Sequence, residues 1–274
     1  MTQHYFENNL VNLHYYQFGT GPQAMLCFHG YGMHGKQFRL LEPSLGETYT
    51  FYGFDLFFHK ETRLKDQSLE SVKKGISKKD MGALFADFCT HKGIDRFSIL
   101  SYSMGTHYAA ILTEELSPRI DEFIVAAPSC LNPGALIRFF SKSKSGNKIL
   151  EKMAFHETAL TGLLKLLKRF KILDAEAYHI LHAEIATSQL RFNFYACFTY
   201  LRFMETDEPR LLQALITQNI KSIFIFGKRD KAFPLRIGKN FFAKLKSAKI
   251  IVLDEGHEMI KHGFATSVTE LLLK

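Results

Sequence analysis

The sequence predicts an α/β fold: a mostly parallel central sheet flanked by helices, with an inserted helical cap subdomain. Three observations predict it. Six compact apolar runs recur along the chain, helical stretches separate them, and one long middle region carries helical patterning without a convincing strand. Continuous apolar runs suit parallel strands buried on both faces. A strand followed by a helix, repeated, suits right-handed crossovers.

The elements follow in order. Val11 to Phe18 alternates in polarity and reads as an antiparallel strand at the sheet edge. The six runs are Ala24 to Phe28, Tyr49 to Phe54, Phe97 to Leu100, Phe123 to Ala127, Ile223 to Phe226 and Ile250 to Leu253. Between them, Lys79 to His91 carries Met81, Leu84, Phe85 and Phe88 on one stripe and is followed by Gly93, a helix and its stop. Met104 to Leu116, Pro234 to Leu245 and His257 to Leu273 read as further helices. The core is expected over residues 1–130 and 220–274, and the cap over 131–219. Lys142 to Asn147 reads as a mobile turn within the cap.

The 274 residues suffice for one large α/β domain, and 46% hydrophobic content can fill its core. A formal charge of +8 is compatible with nucleic acid, an anionic membrane surface or an acidic substrate. No nucleic-acid motif is present, so the excess reads as a solvated basic face. Cys27, Cys89, Cys130 and Cys197 form no close pair and sit among apolar neighbours, which predicts buried free thiols rather than a disulfide framework or a zinc site. Met1 to Asn9 lacks an apolar signal core. No apolar run reaches the roughly 18 residues that span a bilayer, so no stable membrane insertion is expected and the location reads as cytoplasmic.

The strongest chemical signal is Ser101-Tyr102-Ser103-Met104-Gly105, between an apolar strand and a helix. A sharp strand-to-helix turn projects one side chain above the sheet and needs small residues two before and two after it. Ser101 and Gly105 are small, and Ser103 falls at a helix N-terminus that favours developing negative charge. Here the sequence resembles the α/β-hydrolase superfamily, whose elbow is usually Gly-x-Ser-x-Gly; Ser101 replaces the first glycine. The resemblance implies that Ser103 is a nucleophile. It also implies an oxyanion loop at His29-Gly30-Tyr31-Gly32, after the run Ala24 to Phe28. The backbone N–H groups of Tyr31 and Met104 are the expected donors. His29, Gly30, Gly32 and Gly105 are expected to shape the loops, the His29 imidazole as a brace.

Asp230 follows the run Ile223 to Phe226, where an acid can orient a histidine. The plainer alternative has it pairing with Arg229 or Lys231, or capping the helix from Pro234. His257 follows the last run and would shuttle the proton. Asp254 is the rival acid. The segment after the fourth run, Pro128 to Asn132, holds no carboxylate. Ser103, Asp230, His257 is the chain order this superfamily uses, and four ordered matches are far more specific than one. Asp55 and His59 match a turn that relatives carry as Asp-x-x-Gly-His-Gly, here without its glycines. Relatives that are dehalogenases or epoxide hydrolases place an Asp at the elbow, so Ser103 argues against those reactions.

Within the cap, nine basic residues between Arg138 and Lys171 face only Glu151 and Glu157, a local excess of seven positive charges. Gly162 to Leu173 reads as an amphipathic helix with Leu163, Leu166, Leu167 and Phe170 on one face. Three readings compete for it: a lid that buries this face, attraction to an anionic or carrier-linked substrate, and contact with a membrane surface. Of the aromatics from Phe192 to Phe203, most read as core and some as pocket lining. His179 and His182, with Glu176 and Glu184, have metal-like spacing but no convincing third ligand, so no metal is expected. His34 and His107 lie near the expected site in sequence, as supporting or surface groups. The expected function is hydrolysis of an ester or thioester of a small to medium apolar acid, with a small-molecule substrate and no cofactor. A carbon–carbon bond hydrolase or lyase of the same fold remains an alternative, as does a non-catalytic ligand-binding protein.

Overall fold

A computed structural model describes residues 2–156, 158–173 and 175–273. Its strands are β1 (Thr2–Glu7), β2 (Val11–Phe18), β3 (Gln23–Phe28), β4 (Tyr49–Phe54), β5 (Arg63–Leu64), β6 (Phe97–Tyr102), β7 (Ile120–Ala126), β8 (Lys221–Gly227) and β9 (Lys249–Leu253). They form one sheet in the order β1-β2-β4-β3-β6-β7-β8-β9, with β5 paired to β2. Pairs from β4 through β9 are parallel, and the pairs made by β2 are antiparallel. The helices are α1 (Glu42–Leu45), α2 (Leu69–Lys74), α3 (Lys78–His91), α4 (Gly105–Leu116), α5 (Ala135–Lys142), α6 (Lys144–Ala154), α7 (Ala159–Arg169), α8 (Ala175–Ala183), α9 (Ser188–Tyr200), α10 (Glu208–Thr217), α11 (Lys239–Lys244) and α12 (His262–Leu272).

The apolar runs of β3, β4, β6, β7 and β8 are continuous because each feeds two cores, whereas β9 is an edge strand that feeds one and leaves Ile250 and Val252 exposed, against the expectation of burial on both faces. Alternate side chains point to opposite faces. Leu26 and Phe28 of β3 join one core with Phe54, Phe85, Phe88 and Tyr108, whereas Met25 and Cys27 join a second with Ile124, Met259 and Phe264. Phe28 stacks on Phe54 at 5.6 Å and meets the edge of Phe85 at 5.1 Å. Each fully buried Phe of this kind contributes about 2–3 kcal/mol of transfer free energy. Helix α3 starts where the Ser77 hydroxyl accepts the Asp80 amide at 3.1 Å and stops before Gly93, whose φ is +67°.

Several expectations about element boundaries change. Val11 to Phe18 is not the edge strand, because β1 lies outside it; β1 buries only Phe6 and so carries little apolar signal. The helix expected from His257 begins at His262, and His257 sits on the turn before it, where the Met259 amide donates to the His257 carbonyl. Pro234 to Leu245 is a 3₁₀ turn, Leu235–Gly238, followed by α11. Lys142 to Asn147 is a tight helix junction: Ser143 caps α6 through Gly146 N, and Gly146 is buried against the Phe139 carbonyl.

Residues 131–219 hold α5 to α10 and, among the described residues, no strand. Helices α5 and α6 pack on α9, α9 on α2, and α7 on α6 and α8, while α10 packs beside α4 and α11. Helix α7 starts at Ala159, so the stripe it turns inward is Leu160 and Leu164, flanked by half-buried Leu163 and Leu167. Leu166 and Phe170, expected on the buried face, are exposed. Glu157 lies outside the described residues. All four cysteines are free and buried. No helix among the described residues is long and apolar enough to cross a membrane.

Candidate active site

The turn between β6 and α4 is as tight as its sequence implies. Ser103 has φ +49°, a left-handed conformation that costs a non-glycine residue about 1–3 kcal/mol. Local bonds hold it there. Its amide donates to the Ala126 carbonyl at 2.9 Å, and its own carbonyl accepts from Thr106 Oγ1 at 2.6 Å and Ser129 Oγ at 2.7 Å. Gly105 has no substitute: a Cβ there would lie 2.1 Å from the Phe28 carbonyl oxygen. Ser101 fits in the buried first position, its hydroxyl reaching the Ile124 carbonyl at 3.4 Å.

The structure brings Ser103, His257 and Asp230 into one chain. Ser103 Oγ lies 3.1 Å from His257 Nε2, and His257 Nδ1 lies 2.9 Å from Asp230 Oδ2. Asp230 Oδ1 accepts the amides of Ala232 at 2.8 Å and Phe233 at 3.0 Å. Burial pushes the Asp230 carboxyl up, but the hydrogen bond and charge of His257, with the two amides, outweigh it and hold it below the usual carboxylate range. An ionised Asp230 takes the Nδ1–H of His257 and leaves Nε2 as the acceptor facing Ser103. Asp230 does not cap the helical turn after Pro234, which has no side-chain cap; Oδ1 closes the preceding turn at Ala232 and Phe233 while Oδ2 meets the histidine. Arg229 instead takes Asp254, at 2.6 Å on the exposed surface, so the rival acid is engaged elsewhere.

The loop after β3 spends its amides selectively. Gly30 N donates to Gln37 Oε1 at 3.0 Å, Gly32 N to His59 Nε2 at 3.1 Å, and Met33 N to the Gly30 carbonyl at 3.2 Å. Among the described residues, the amides of Tyr31 and Met104 donate to no protein acceptor. Gly30 admits the Tyr102 ring, which a Cβ would meet at 2.6 Å, and Gly32 has φ +76°. His29 braces this loop: Nδ1–H donates to the Gly30 carbonyl at 2.6 Å and Nε2 accepts the Leu56 amide at 3.0 Å. Burial, with His59 nearby, drives the His29 pKa down to about 3, so the ring is neutral.

Several supporting contacts have no local sequence signal, although Asp55 and His59 themselves stand in the turn that resembles the relatives'. His14 of β2 meets buried Asp55 at 2.7 Å, and Asp55 also accepts Gly35 N at 2.8 Å, which ties the loop to two strands. His59 orients the Gly32 amide while donating to the Phe57 carbonyl at 2.9 Å. The Tyr102 hydroxyl lies 2.9 Å from the His257 carbonyl oxygen and 3.1 Å from Glu258 Oε1; its place inside the elbow was the one available hint. Above the loop sit Ile180 and Glu184 of the α8 region, against Gly32, and Phe194, edge-on to Tyr31 at 5.7 Å. Tyr195 and Tyr200 are core, and Phe203 is exposed.

The remaining histidines stay apart from this chain. His34 is exposed. His107 lines a separate cavity of about 170 Å³ with Cys130, Arg138 and Glu205, and burial lowers its pKa to about 4. His179 and His182 are exposed beside Tyr178, and the Glu176 side chain lies outside the described residues.

A family model described as alpha/beta hydrolase fold matches residues 23–263. An uncharacterized hydrolase of Bacillus subtilis, YugF, is 23% identical over 260 residues, covering 90% of this chain and 88% of the relative. Among solved structures, a hydrolase from Pseudomonas aeruginosa PA01 superposes with a TM-score of 0.71 at 15% identity, covering 98% of this chain and 97% of the other. A carboxylesterase of the thaumarchaeon Nitrososphaera gargenis gives a TM-score of 0.67 at 14% identity, covering 99% and 98%. At these identities the solved structures share the fold alone.

Proposed function

The chain belongs to the alpha/beta hydrolase fold family, and from that premise we propose that it is a serine hydrolase of carboxylic esters or thioesters. One observation carries the reading. Ser103, His257 and Asp230 lie within hydrogen-bond reach in series, beside two backbone amides that donate to no protein acceptor among the described residues.

The steps follow from the geometry. Ser103 Oγ attacks the substrate carbonyl carbon while its proton passes to His257 Nε2. Asp230 stabilises the resulting imidazolium. The N–H groups of Tyr31 and Met104 receive the negative oxygen, preorganised because no acceptor among the described residues competes for them. The tetrahedral adduct collapses, the bond to the leaving oxygen or sulfur breaks, and His257 returns the proton to it. Water then gives its proton to His257, attacks the acyl-serine, and releases the acid and Ser103. These steps need no cofactor. Helices α5 to α9 act as a cap, and the Tyr31–Phe194 contact favours a small to medium apolar acyl group.

A fluorophosphonate probe tests the proposal. Wild type is expected to be labelled and Ser103→Ala is not; equal labelling of both would overturn it. Hydrolysis of p-nitrophenyl esters of rising chain length, run beside acyl-CoA thioesters, then separates ester from thioester preference. Labelling without turnover of either class would shift the reading towards a carbon–carbon bond hydrolase or lyase. The absence of any labelling would favour the ligand-binding alternative.

A further inference from the structure

Around the sheet some basic side chains meet acids and others do not: Lys78 reaches Glu114, Arg210 reaches Glu115 and Lys244 reaches Glu208, all within 2.7 Å, whereas Lys79, Lys239 and Lys246 make no ion pair with a described carboxylate. On and just beyond α6 and α7 the latter kind is concentrated. Lys144, Lys148, Lys152, Lys165, Arg169 and Lys171 make no ion pair with a described carboxylate. The pairs of this layer end at Arg138 and Lys142, which share Glu205, and at Glu151, which Lys73 takes.

The same surface exposes large apolar side chains. Phe155 is 60% exposed, Phe170 66% and Ile172 62%. They are interleaved with the charges: Ile149 stands between Lys148 and Lys152, and Leu166 and Phe170 stand beside Lys165 and Arg169. Helix α5 packs on α6 and α6 on α7, with α5 and α6 backed by α9. Their outer stripes therefore lie side by side, facing away from the core.

We propose that the outer face of α5 to α7 is a peripheral docking surface for an anionic phospholipid bilayer. Exposed apolar groups set among cations that meet no described carboxylate match the boundary between acidic headgroups and acyl chains, where both are satisfied at once. Other occupants fit less well. A second copy would press two surfaces of the same charge together. Nucleic acid would meet the cations but leave aliphatic Ile149, Leu166 and Ile172 nothing to bury against. A soluble acidic protein would account for the charges without the interleaved apolar stripes. The placement has a use: α7 packs on α8, and Ile180 and Glu184 at α8 rest on Gly32, so a docked layer lies one helix away from the candidate site.

Co-sedimentation with vesicles tests this, using phosphatidylcholine alone and phosphatidylcholine doped with phosphatidylglycerol. Wild type is expected to bind only the anionic vesicles and to be released by added salt. Lys165→Glu/Arg169→Glu should lower the partition coefficient by about tenfold or more. Leu166→Ser/Phe170→Ser should also lower it, with the salt dependence retained. Lys144→Glu/Lys148→Glu, on a different helix, should repeat the first effect and guards against misfolding of one variant. No binding to anionic vesicles at low salt overturns the proposal. So does undiminished binding by the serine variant, which would leave a charge-only surface suited to a soluble acidic partner.

Discussion

The elbow loops and the α5 to α7 layer treat polar groups in opposite ways. Around Ser103 most buried donors and acceptors have a partner, and the amides of Tyr31 and Met104 donate to no protein acceptor among the described residues. In the outer layer, the cations of α6 and α7 meet no described carboxylate and the rings of Phe155 and Phe170 face solvent. A site that must hold a transition state is built by satisfying everything except the groups reserved for it. A surface that must meet something larger is built by leaving its groups unsatisfied until the encounter. The same chain thus encodes one region by closure and the other by exposure.

That contrast can be broken or sharpened by substitution. The largest effect belongs to Ser103→Ala: ester kcat/KM should fall by about 10⁴-fold or more, measured beside wild type on a p-nitrophenyl ester. A loss of less than tenfold would remove the elbow from the chemistry. Next is Gly105→Ala, where the new Cβ would meet the Phe28 carbonyl. It should cost about 3 kcal/mol in urea unfolding through overpacking, and an unchanged midpoint would show that the turn can yield.

A third test uses pH. His29 is held neutral with a pKa near 3, whereas the unfolded imidazole titrates near 6.5. The folded state therefore binds fewer protons in that window, and stability is complete above pH 6.5 and falls as pH drops. Between pH 7 and pH 5 the His29 share is about 2 kcal/mol, and unfolding curves of wild type and His29→Gln should differ in pH slope by that amount. Equal slopes would mean that the brace is not buried in solution. The smallest effect is expected in the outer layer: Phe170→Ser should move stability by less than about 0.5 kcal/mol, because its side chain packs on little. A larger loss would mean that this ring is covered in the free protein and would count against an open docking surface.

Legibility followed the same divide. The five central strands β4, β3, β6, β7 and β8 were readable because burial on both faces leaves a continuous apolar run that no loop would carry, and β9 was readable from its apolar residues although its edge position leaves Ile250 and Val252 exposed. β1 was not, since an edge strand burying Phe6 alone leaves almost no pattern. Helix α12 was begun five residues early because nothing in composition separates a turn that carries His257 from the helix behind it. Ser103, Asp230 and His257 were readable as candidates because each follows the end of a recognisable strand, and the structure does bring them together. The bracing contacts were not. His14 to Asp55 and His59 to Gly32 join residues far apart in the chain, and no local spacing announces a partnership made by tertiary packing. Helix α7 shows the limit of periodicity: one broad leucine stripe runs along it, and packing on α6 and α8, not the pattern, buries the Leu160–Leu164 side and leaves Leu166 and Phe170 exposed.

Burial of the four cysteines opens a route to watching the outer layer directly. Every thiol is enclosed and pushed up by burial, Cys89 to about 11 and Cys130 to about 12, so at neutral pH none presents a thiolate to an electrophile. The native protein is therefore a blank background for maleimide chemistry. A Ser145→Cys substitution on the exposed start of α6 would be the one reactive thiol in the molecule, and a fluorophore attached there would report the polarity around that helix without a single native cysteine having to be removed.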